Sequence, residues 1–518
     1  MRSERYVIAM IAMIVALGGL LMGFDASVIS GVVKFIEPEF GLTKLELGWS
    51  VASLTLTATL AMMISGPLSD RFGRRSVLRV AAILYAISAL ASAFAPTFLT
   101  LVIARMIGGL GVGASLILAP MYIAEMSPPD IRGRMVSFNQ LNIVIGISLA
   151  FFTNYLILHW GKSDASWAVW LKLDEHNWRW MLGLETLPAV LYFFGLFFVP
   201  KSPRWLILKG KVAEAKSIMA KLTSEAEAEA ALEEIRKNDL ARKDEPKASV
   251  KDLLKPSLRL VLTIGIVVAV LQQITGINSV FFYAPMIFEQ SGIGTDASFV
   301  QAILVGLANL VFTVLAILFI DRLGRKPLLS FGVAGIALCM FLLSYGFHAA
   351  TYEVTQETFM AITSVQEADV VSVIGQTYAN ESAFLDGIAQ VLSPDVIEAH
   401  KTTLINSSIR MNAMLILFAI LGFVASFAIS IGPVMWVLFS ELFPNKIRGI
   451  AISFVGLNNS GVSFLVQWIF PWELEFLGSS VTFLIYGLFA AAGLIFIVKV
   501  IPETKGKSLE EIETQLVH

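Results

Sequence analysis

The chain has 518 residues, 56% hydrophobic and 15% charged, with a mean hydropathy of +0.75 and a formal net charge of −2. Soluble globular chains carry about 25% charged residues, so the composition excludes an ordinary water-soluble protein, and the near-neutral charge implies no nucleic-acid partner. The single cysteine, Cys339, excludes an intrachain disulfide and a cysteine metal centre, and five scattered histidines point to no metal site and no cofactor.

Runs of about 20 apolar residues, each long enough to cross a hydrocarbon core, recur along the chain. The first begins at Tyr6 and ends before Lys34. It is too long for a signal-peptide core and no small-residue cleavage site follows, so it reads as a retained span. Hydropathy predicts twelve spans, at about 7–33, 47–69, 77–95, 98–125, 136–158, 179–200, 258–288, 298–320, 328–348, 411–440, 450–470 and 479–500. An even number places both termini on one side of the bilayer. With the N-terminus inside, only Lys34, Lys44, Lys162, Lys172, Arg179, Lys401 and Arg410 fall outside, and Arg105 lies within a span. The positive-inside rule therefore predicts cytoplasmic termini and a multi-pass protein of the cell membrane, plasma or bacterial inner.

Two hydrophilic stretches interrupt the pattern. Residues 201–257 form a predicted cytoplasmic linker whose Ala-, Glu- and Lys-rich part, 211–237, favours surface helices with i,i+4 charge pairs. Residues 349–410 form a mildly acidic outer insert, where stretches such as 383–400 read as short capping helices.

The chain repeats itself. "SDRFGRRS" at 69–76 returns as "IDRLGRKP" at 320–327, and "AEMSPPDIRGR" at 124–134 returns as "SELFPNKIRGI" at 440–450. Glu125 and Arg132 map onto Glu441 and Arg448, and "VPKSPR" at 199–204 has a weaker echo in "IPETKG" at 501–506. The two offsets differ by about the length of the outer insert. Each motif follows the corresponding span of its half, so two six-span halves share one orientation, related by an axis along the membrane normal. The predicted fold is an all-α polytopic membrane protein with twelve transmembrane helices in two six-helix pseudo-repeats. Residues 1–200 form the first half, 201–257 the linker and 258–518 the second half. Such an architecture holds its substrate at mid-depth between the halves.

The loop motifs supply a candidate cytoplasmic gate: Asp70, Arg71, Arg74, Arg75, Glu125 and Arg132 in the first half, and Asp321, Arg322, Arg325, Glu441 and Arg448 in the second. Ion pairs among them would hold the cytoplasmic ends together and set the balance between two states. As positive-inside anchors alone they would do no more than fix orientation.

These motifs, together with "WRWMLGLETLPA", "QQITGINSVFFYAP", "GPVMWVLFSELFPNKIRG" and the closing "PETKGKSLEEIE", resemble the sugar porter family of the major facilitator superfamily over nearly the whole chain. The resemblance implies the major facilitator fold, alternating access and a monosaccharide or polyol cargo, moved downhill or with a proton. It marks Gln140, Gln272, Gln273, Asn278, Asn309, Trp436 and Asn459 as sugar-binding positions. Amides suit a ring of hydroxyls because each offers both a donor and an acceptor. Polar contacts between helices are the alternative role. Trp436 follows Gly432 and Pro433, which weaken its helix, and its indole can stack on a sugar's apolar face. The chain departs from the family at Lys201, where relatives carry Glu, at Ser460, where several carry Trp, and in the long outer insert.

Asp25 is a carboxylate near the centre of the first span, which costs roughly 2.5–3.5 kcal/mol on insertion scales. Its natural partner is Arg105, and protonation of Asp25 would free that partner. A carboxylate whose partner changes between states can couple a proton gradient to conformational change. The resemblance marks Glu185 as a supporting acid. A permanent structural ion pair is the alternative. "GLGVGA" at 109–114 matches a dinucleotide fingerprint, but no strand precedes it, and its small residues read as a helix-packing surface. The sequence thus points to a proton-coupled symporter of a hexose or pentose. It is no enzyme, and its partners are the monosaccharide, the proton and the lipid bilayer; it acts as a monomer. A facilitator lacking coupling, for a sugar or for a polyol such as inositol, and a non-transporting sensor are the alternatives.

Overall fold

The computed structural model describes residues 2–128, 131–220, 222, 229, 252–253, 255–360, 372–444, 447–505 and 511. Five long helices come first: α1 (Arg2–Phe40), α2 (Lys44–Phe72), α3 (Arg74–Ala93), α4 (Phe98–Met126) and α5 (Arg132–Gly161). Short helices follow: α6 (Ser166–Trp170), α7 (Asn177–Gly183), α8 (Thr186–Gly195), α9 (Pro203–Leu208) and α10 (Val212–Met219). The second group comprises α11 (Arg259–Ile274), α12 (Ile277–Glu289), α13 (Thr295–Leu323) and α14 (Arg325–His348). After the insert come α18 (Ala413–Ile429), α19 (Ile431–Leu442), α20 (Arg448–Phe476) and α21 (Gly478–Val500).

Among the described residues, eleven helical stretches are long and apolar enough to cross a membrane. The twelfth expected span, at 179–200, is not one helix but α7 and α8 with a break at Leu184–Glu185. Pro188 explains the break, because it has no N–H to offer the Leu184 carbonyl four residues earlier. The turn tightens there: Leu187 N–H donates to Leu184 O at 3.2 Å.

Proline acts again in two other spans, one of which a glycine also breaks. Gly276 sits at φ 87° between α11 and α12, and further on Tyr283 leaves helical geometry (φ −127°, ψ 16°) two residues before Pro285. Ser430 (φ −123°, ψ −103°) separates α18 from α19, three residues before Pro433, whose missing N–H leaves Ile429 O without a helical donor.

Tight contact holds the first group together. Gly109 and Gly113 of "GLGVGA" face α2, where an added Cβ would strike the Leu54 and Ala58 carbonyl oxygens. That is the packing role predicted for these residues. α1 packs on α5, α2 on α4, and α14 on α18 and α21. Between the groups, α2 lies along α20 and α5 along α13.

The insert is not purely helical. It contains β1 (Thr351–Glu353), β2 (Thr377–Tyr378) and β3 (Ile409–Arg410), paired antiparallel in the order β2-β1-β3. Three helices accompany them: α15 (Gln356–Met360), α16 (Glu381–Ile388) and α17 (Pro394–Ser408). Tyr352, Phe384, Ile388, Leu404 and Ile409 give it an apolar core of its own. Of the linker, α9 and α10 are described, whereas 221, 223–228 and 230–237 of the predicted surface helices lie outside the described residues.

Candidate transport site

The face carrying the repeated loops is the motif face, and the one carrying 349–410 is the insert face. At the motif face the repeat is a repeated piece of chemistry. Gly73 and Gly324 both adopt φ 91°, a region that side chains resist, so a glycine is required at each "DRxGR" turn. Each glycine directs the next residue, Arg74 or Arg325, onto the glutamate of the second motif: Arg74 Nη2 lies 3.1 Å from Glu125 Oε1 and Arg325 Nη2 2.7 Å from Glu441 Oε1. The third motif completes both clusters. Ser202 Oγ donates to Glu125 Oε2 at 2.5 Å, and Thr504 Oγ1 to Glu441 Oε2 at 2.6 Å. Ser202 and Thr504 were not singled out in the sequence, although both belong to the weaker echo.

The other gate candidates take different positions. Asp70 pairs with Arg74 at 2.7 Å, Arg75 donates to Val199 O at 2.8 Å, and Arg71 lies over the Phe72 ring. Arg132 and Arg448 donate to the carbonyls five residues earlier, Ser127 O and Phe443 O. Lys505 Nζ donates to the backbone of Arg322, and the side chain of Asp321 lies outside the described residues. All these contacts join elements of one helix group.

Lys201 is where the two clusters differ. In the second group Glu503 accepts from the backbone N–H groups of Arg325 and Lys326, both at 3.1 Å, and caps α14. Burial pushes the Glu503 carboxyl up, but the N–H groups of Lys505, Arg325 and Lys326 outweigh it and hold the group below the usual range. Lys201 cannot cap. It reaches Glu214 of α10 at 2.9 Å, and that hydrogen bond and its charge hold the Glu214 carboxyl low.

In the first group, Asp25 and Arg105 meet as predicted, Oδ1 to Nη1 at 3.2 Å, with both side chains 2% exposed. Arg105 Nε also donates to Ser50 O at 3.2 Å, so the guanidinium is held by α2 as well as by α1. Glu185 is equally buried, at the break between α7 and α8, and interacts electrostatically with both Asp25 and Arg105. Two buried carboxyls thus lie within electrostatic reach of one buried cation, which is paired with Asp25. Asp25 Oδ2 and Glu185 Oε1 have no hydrogen-bond partner among the described residues.

The second group holds a network of amides. Gln272 Nε2 donates to Ile431 O and Gly432 O, both at 3.3 Å, at the break before α19. Gln273 Nε2 donates to Gln272 Oε1 at 3.1 Å and Asn459 Oδ1 at 3.2 Å. Asn459 Nδ2 returns to Gln272 Oε1 at 2.8 Å. Asn278 Nδ2 joins Gln273 Oε1 at 2.8 Å to Ser463 Oγ at 2.7 Å. Gln467 Nε2 continues to Ser463, and Thr55 Oγ1 of α2 donates to Gln467 Oε1 at 2.8 Å, which ties the network to the first group. Four of the seven expected binding residues are therefore directly linked. Ser463 and Gln467 were missed, although they follow Asn459 at steps of four along one helix face.

The remaining three stand around this network. Trp436 is 48% exposed, and its ring packs edge-on against Phe439. Asn309 is buried on α13, three residues from Gly306, whose carbonyl accepts from Ser148 Oγ of α5 at 2.9 Å. Gln140 is exposed on α5 and lies three turns from Phe151 on the stripe that faces α13.

The cleft between the groups is closed on one side. Near the insert face Lys34 reaches Glu289 at 2.5 Å and also Thr295, Lys162 reaches Asp296 at 2.6 Å, and Trp468 Nε1 donates to Leu45 O at 3.2 Å. Trp49 packs edge-on against Phe464 and Trp468 across the same seam. The polar contacts between the groups, among the described residues, lie at this face or at mid-depth.

Membrane-crossing helices in two like groups, with broken helices around a buried polar cluster between them, define a membrane transporter. The family model described as "Sugar (and other) transporter" matches residues 11–366 and 388–516, and the gap falls inside the insert. The chain is 35% identical to the arabinose-proton symporter of Bacillus subtilis, covering 98% of this chain and 94% of that one. It is 36% identical to the D-xylose-proton symporter of Escherichia coli, covering 97% and 94%. The inward-open structure of the Escherichia coli xylose transporter XylE superposes with a TM-score of 0.74 at 33% identity, covering 98% of this chain and 100% of that one. The chain belongs to the sugar porter family of the major facilitator superfamily.

Proposed function

We propose that this protein is a proton-coupled symporter of a monosaccharide, a hexose or pentose, working by alternating access in a cell membrane with both termini in the cytoplasm. The observation that carries this reading is the buried trio of Asp25, Glu185 and Arg105. Two carboxyls and one guanidinium are neutral together only when one carboxyl holds a proton, and an uncompensated buried charge is costly. A site that takes up a proton to become neutral, and loses it when its surroundings change, is what coupling requires. The relatives named as arabinose-proton and D-xylose-proton symporters support the same reading.

Sugar binding falls to Gln272, Gln273, Asn278 and Asn459, with Gln140, Asn309 and Trp436 closing around the ligand. Without sugar, the amides satisfy one another. A sugar hydroxyl can replace each of these bonds in kind, so binding exchanges hydrogen bonds rather than exposing orphaned amides, each of which would cost about 1–3 kcal/mol. Residues 1–200 and 258–518 then rock as two bodies joined by the 201–257 linker. The duplicated Arg–Glu–hydroxyl clusters keep each body rigid at the cytoplasmic side, and the gate forms where these bodies meet. The protein makes and breaks no covalent bond and acts as a monomer.

A facilitator is the second reading, favoured by the bond from Arg105 to Ser50 O, which would persist if the pair were purely structural. Uptake of labelled arabinose, xylose and glucose into vesicles, with and without an imposed proton gradient, separates the two. Symport predicts accumulation above equilibrium that collapses with the gradient. Equal filling under both conditions would leave the facilitator.

A further inference from the structure

Between the acid pair and the motif face lies a line of buried polar atoms that neither sugar binding nor the ion pair uses. Tyr85 of α3, Ser115 of α4 and Tyr192 of α8 are each at most 1% exposed. Ser115 Oγ lies between the two phenols and interacts with both, yet none of the three oxygens makes a hydrogen bond of good geometry. Tyr85 also lies within electrostatic reach of Asp25 and Glu185.

Two parallel steps fix the direction of the line. Gly18 lies seven residues before Asp25 on α1, two turns or about 10 Å nearer the motif face. A Cβ added at Gly18 would lie 2.7 Å from Tyr192 Oη and 3.3 Å from Ser115 Cβ. Tyr192 in turn follows Glu185 by seven residues, so the hydroxyl pair sits one such step below the acid pair on both flanks. Beyond Tyr192, Arg79 reaches Leu196 O and Arg75 reaches Val199 O, and their Nε atoms are again buried without partners.

Orphaned buried polar atoms are uncommon. A chain of them, with Ser115 within reach of both phenols, is where ordered water completes the hydrogen bonding. We propose that Tyr85, Ser115 and Tyr192, bridged by water, form the path by which a proton moves between the Asp25–Glu185 pair and the motif face. Each hydroxyl oxygen accepts one proton and releases its own, so no phenol stays ionised, and rotation of the hydroxyls and waters resets the path for the next proton. The charged and titratable groups facing it are Asp25, Glu185 and Arg105 at one end and Arg75 and Arg79 at the other. The proposal rests on proton coupling, and it explains how a buried pair exchanges protons while the cleft is closed at the insert face.

The test uses the full-length protein in vesicles, with wild type, Tyr192→Phe, Ser115→Ala and the double variant, and with xylose and arabinose as probes. Two rates are read: gradient-driven net uptake, which requires proton release, and sugar counterflow at equal pH, which does not. The double variant should lose net uptake by about a hundredfold, the lower end of what a positioned proton-transfer group contributes. Its counterflow should stay within a factor of about two, which also shows that the protein is folded, and the solvent deuterium effect on net uptake should grow. Net uptake at the wild-type rate would overturn the path, as would a parallel loss of both rates, the mark of a packing role. Asp25→Asn is measured alongside. If it still accumulates sugar, coupling itself fails, whereas loss there with unimpaired hydroxyl variants removes only the path.

Discussion

The two helix groups derive from one repeat, yet their interiors are built on different chemistry. The first buries charge: Asp25, Glu185 and Arg105 lie among hydroxyls, and twelve of the fourteen buried side-chain N and O atoms without a partner among the described residues belong to it. The second buries neutral amides that close on one another, and its orphans are Ser279 Oγ and Gln301 Oε1. A satisfied amide network is firm and selective for ligands that reproduce its bonds. An unsatisfied charged interior admits water and protons. Under the proposed function, this division gives the proton to one half and the sugar to the other, and coupling becomes a matter of how the halves meet.

The largest effect that can break this comparison is expected at Asp25. Asp25→Asn should abolish accumulation above equilibrium, read as the steady-state ratio of labelled sugar across energised vesicles. Substitution in the amide network should act on affinity instead. Gln273→Leu or Asn459→Leu leaves buried partners unpaired at about 1–3 kcal/mol, so sugar binding should weaken roughly 5- to 150-fold by calorimetry. Proton dependence should persist in whatever uptake remains. An Asp25 variant that weakened sugar binding while accumulation survived would merge the two roles.

A smaller effect is expected at the seam between the groups. Lys34→Glu places two acids together at the insert face, and breaking a partly exposed pair of about 1 kcal/mol shifts a two-state balance about fivefold. Labelling of a cysteine introduced in the cleft would report it, and the swap with Glu289→Lys should restore the original balance. The smallest lies at the motif face. Lys201→Glu should let the first group cap α3 as Glu503 caps α14. That gain of about 0.5–1 kcal/mol exceeds the loss of the exposed Glu214 pair and raises Tm by about 1–2 °C.

Much of this was legible in the sequence for physical reasons. Asp25 and Arg105 stand out because charge in an apolar span is expensive, and two opposite charges placed so must find each other. The repeat was legible because a positive-φ glycine and an arginine directed at a glutamate allow few substitutes. Ser202, Thr504, Ser463 and Gln467 were not, because small polar residues are common and their importance depends on neighbours far away in sequence. The split of the sixth span escaped hydropathy, which is blind to hydrogen bonding, although Pro188 announced it. The strands of the insert escaped because two- and three-residue pairs leave no periodicity.

Whether charge and sugar are handled together is tested most directly by following pH outside lightly buffered vesicles when sugar is added. Wild-type protein should draw in protons as sugar enters, so the medium turns alkaline with each of the transported sugars, and Asp25→Asn should give no such signal. Sugar entry at an unchanged external pH would contradict the division of labour at its root.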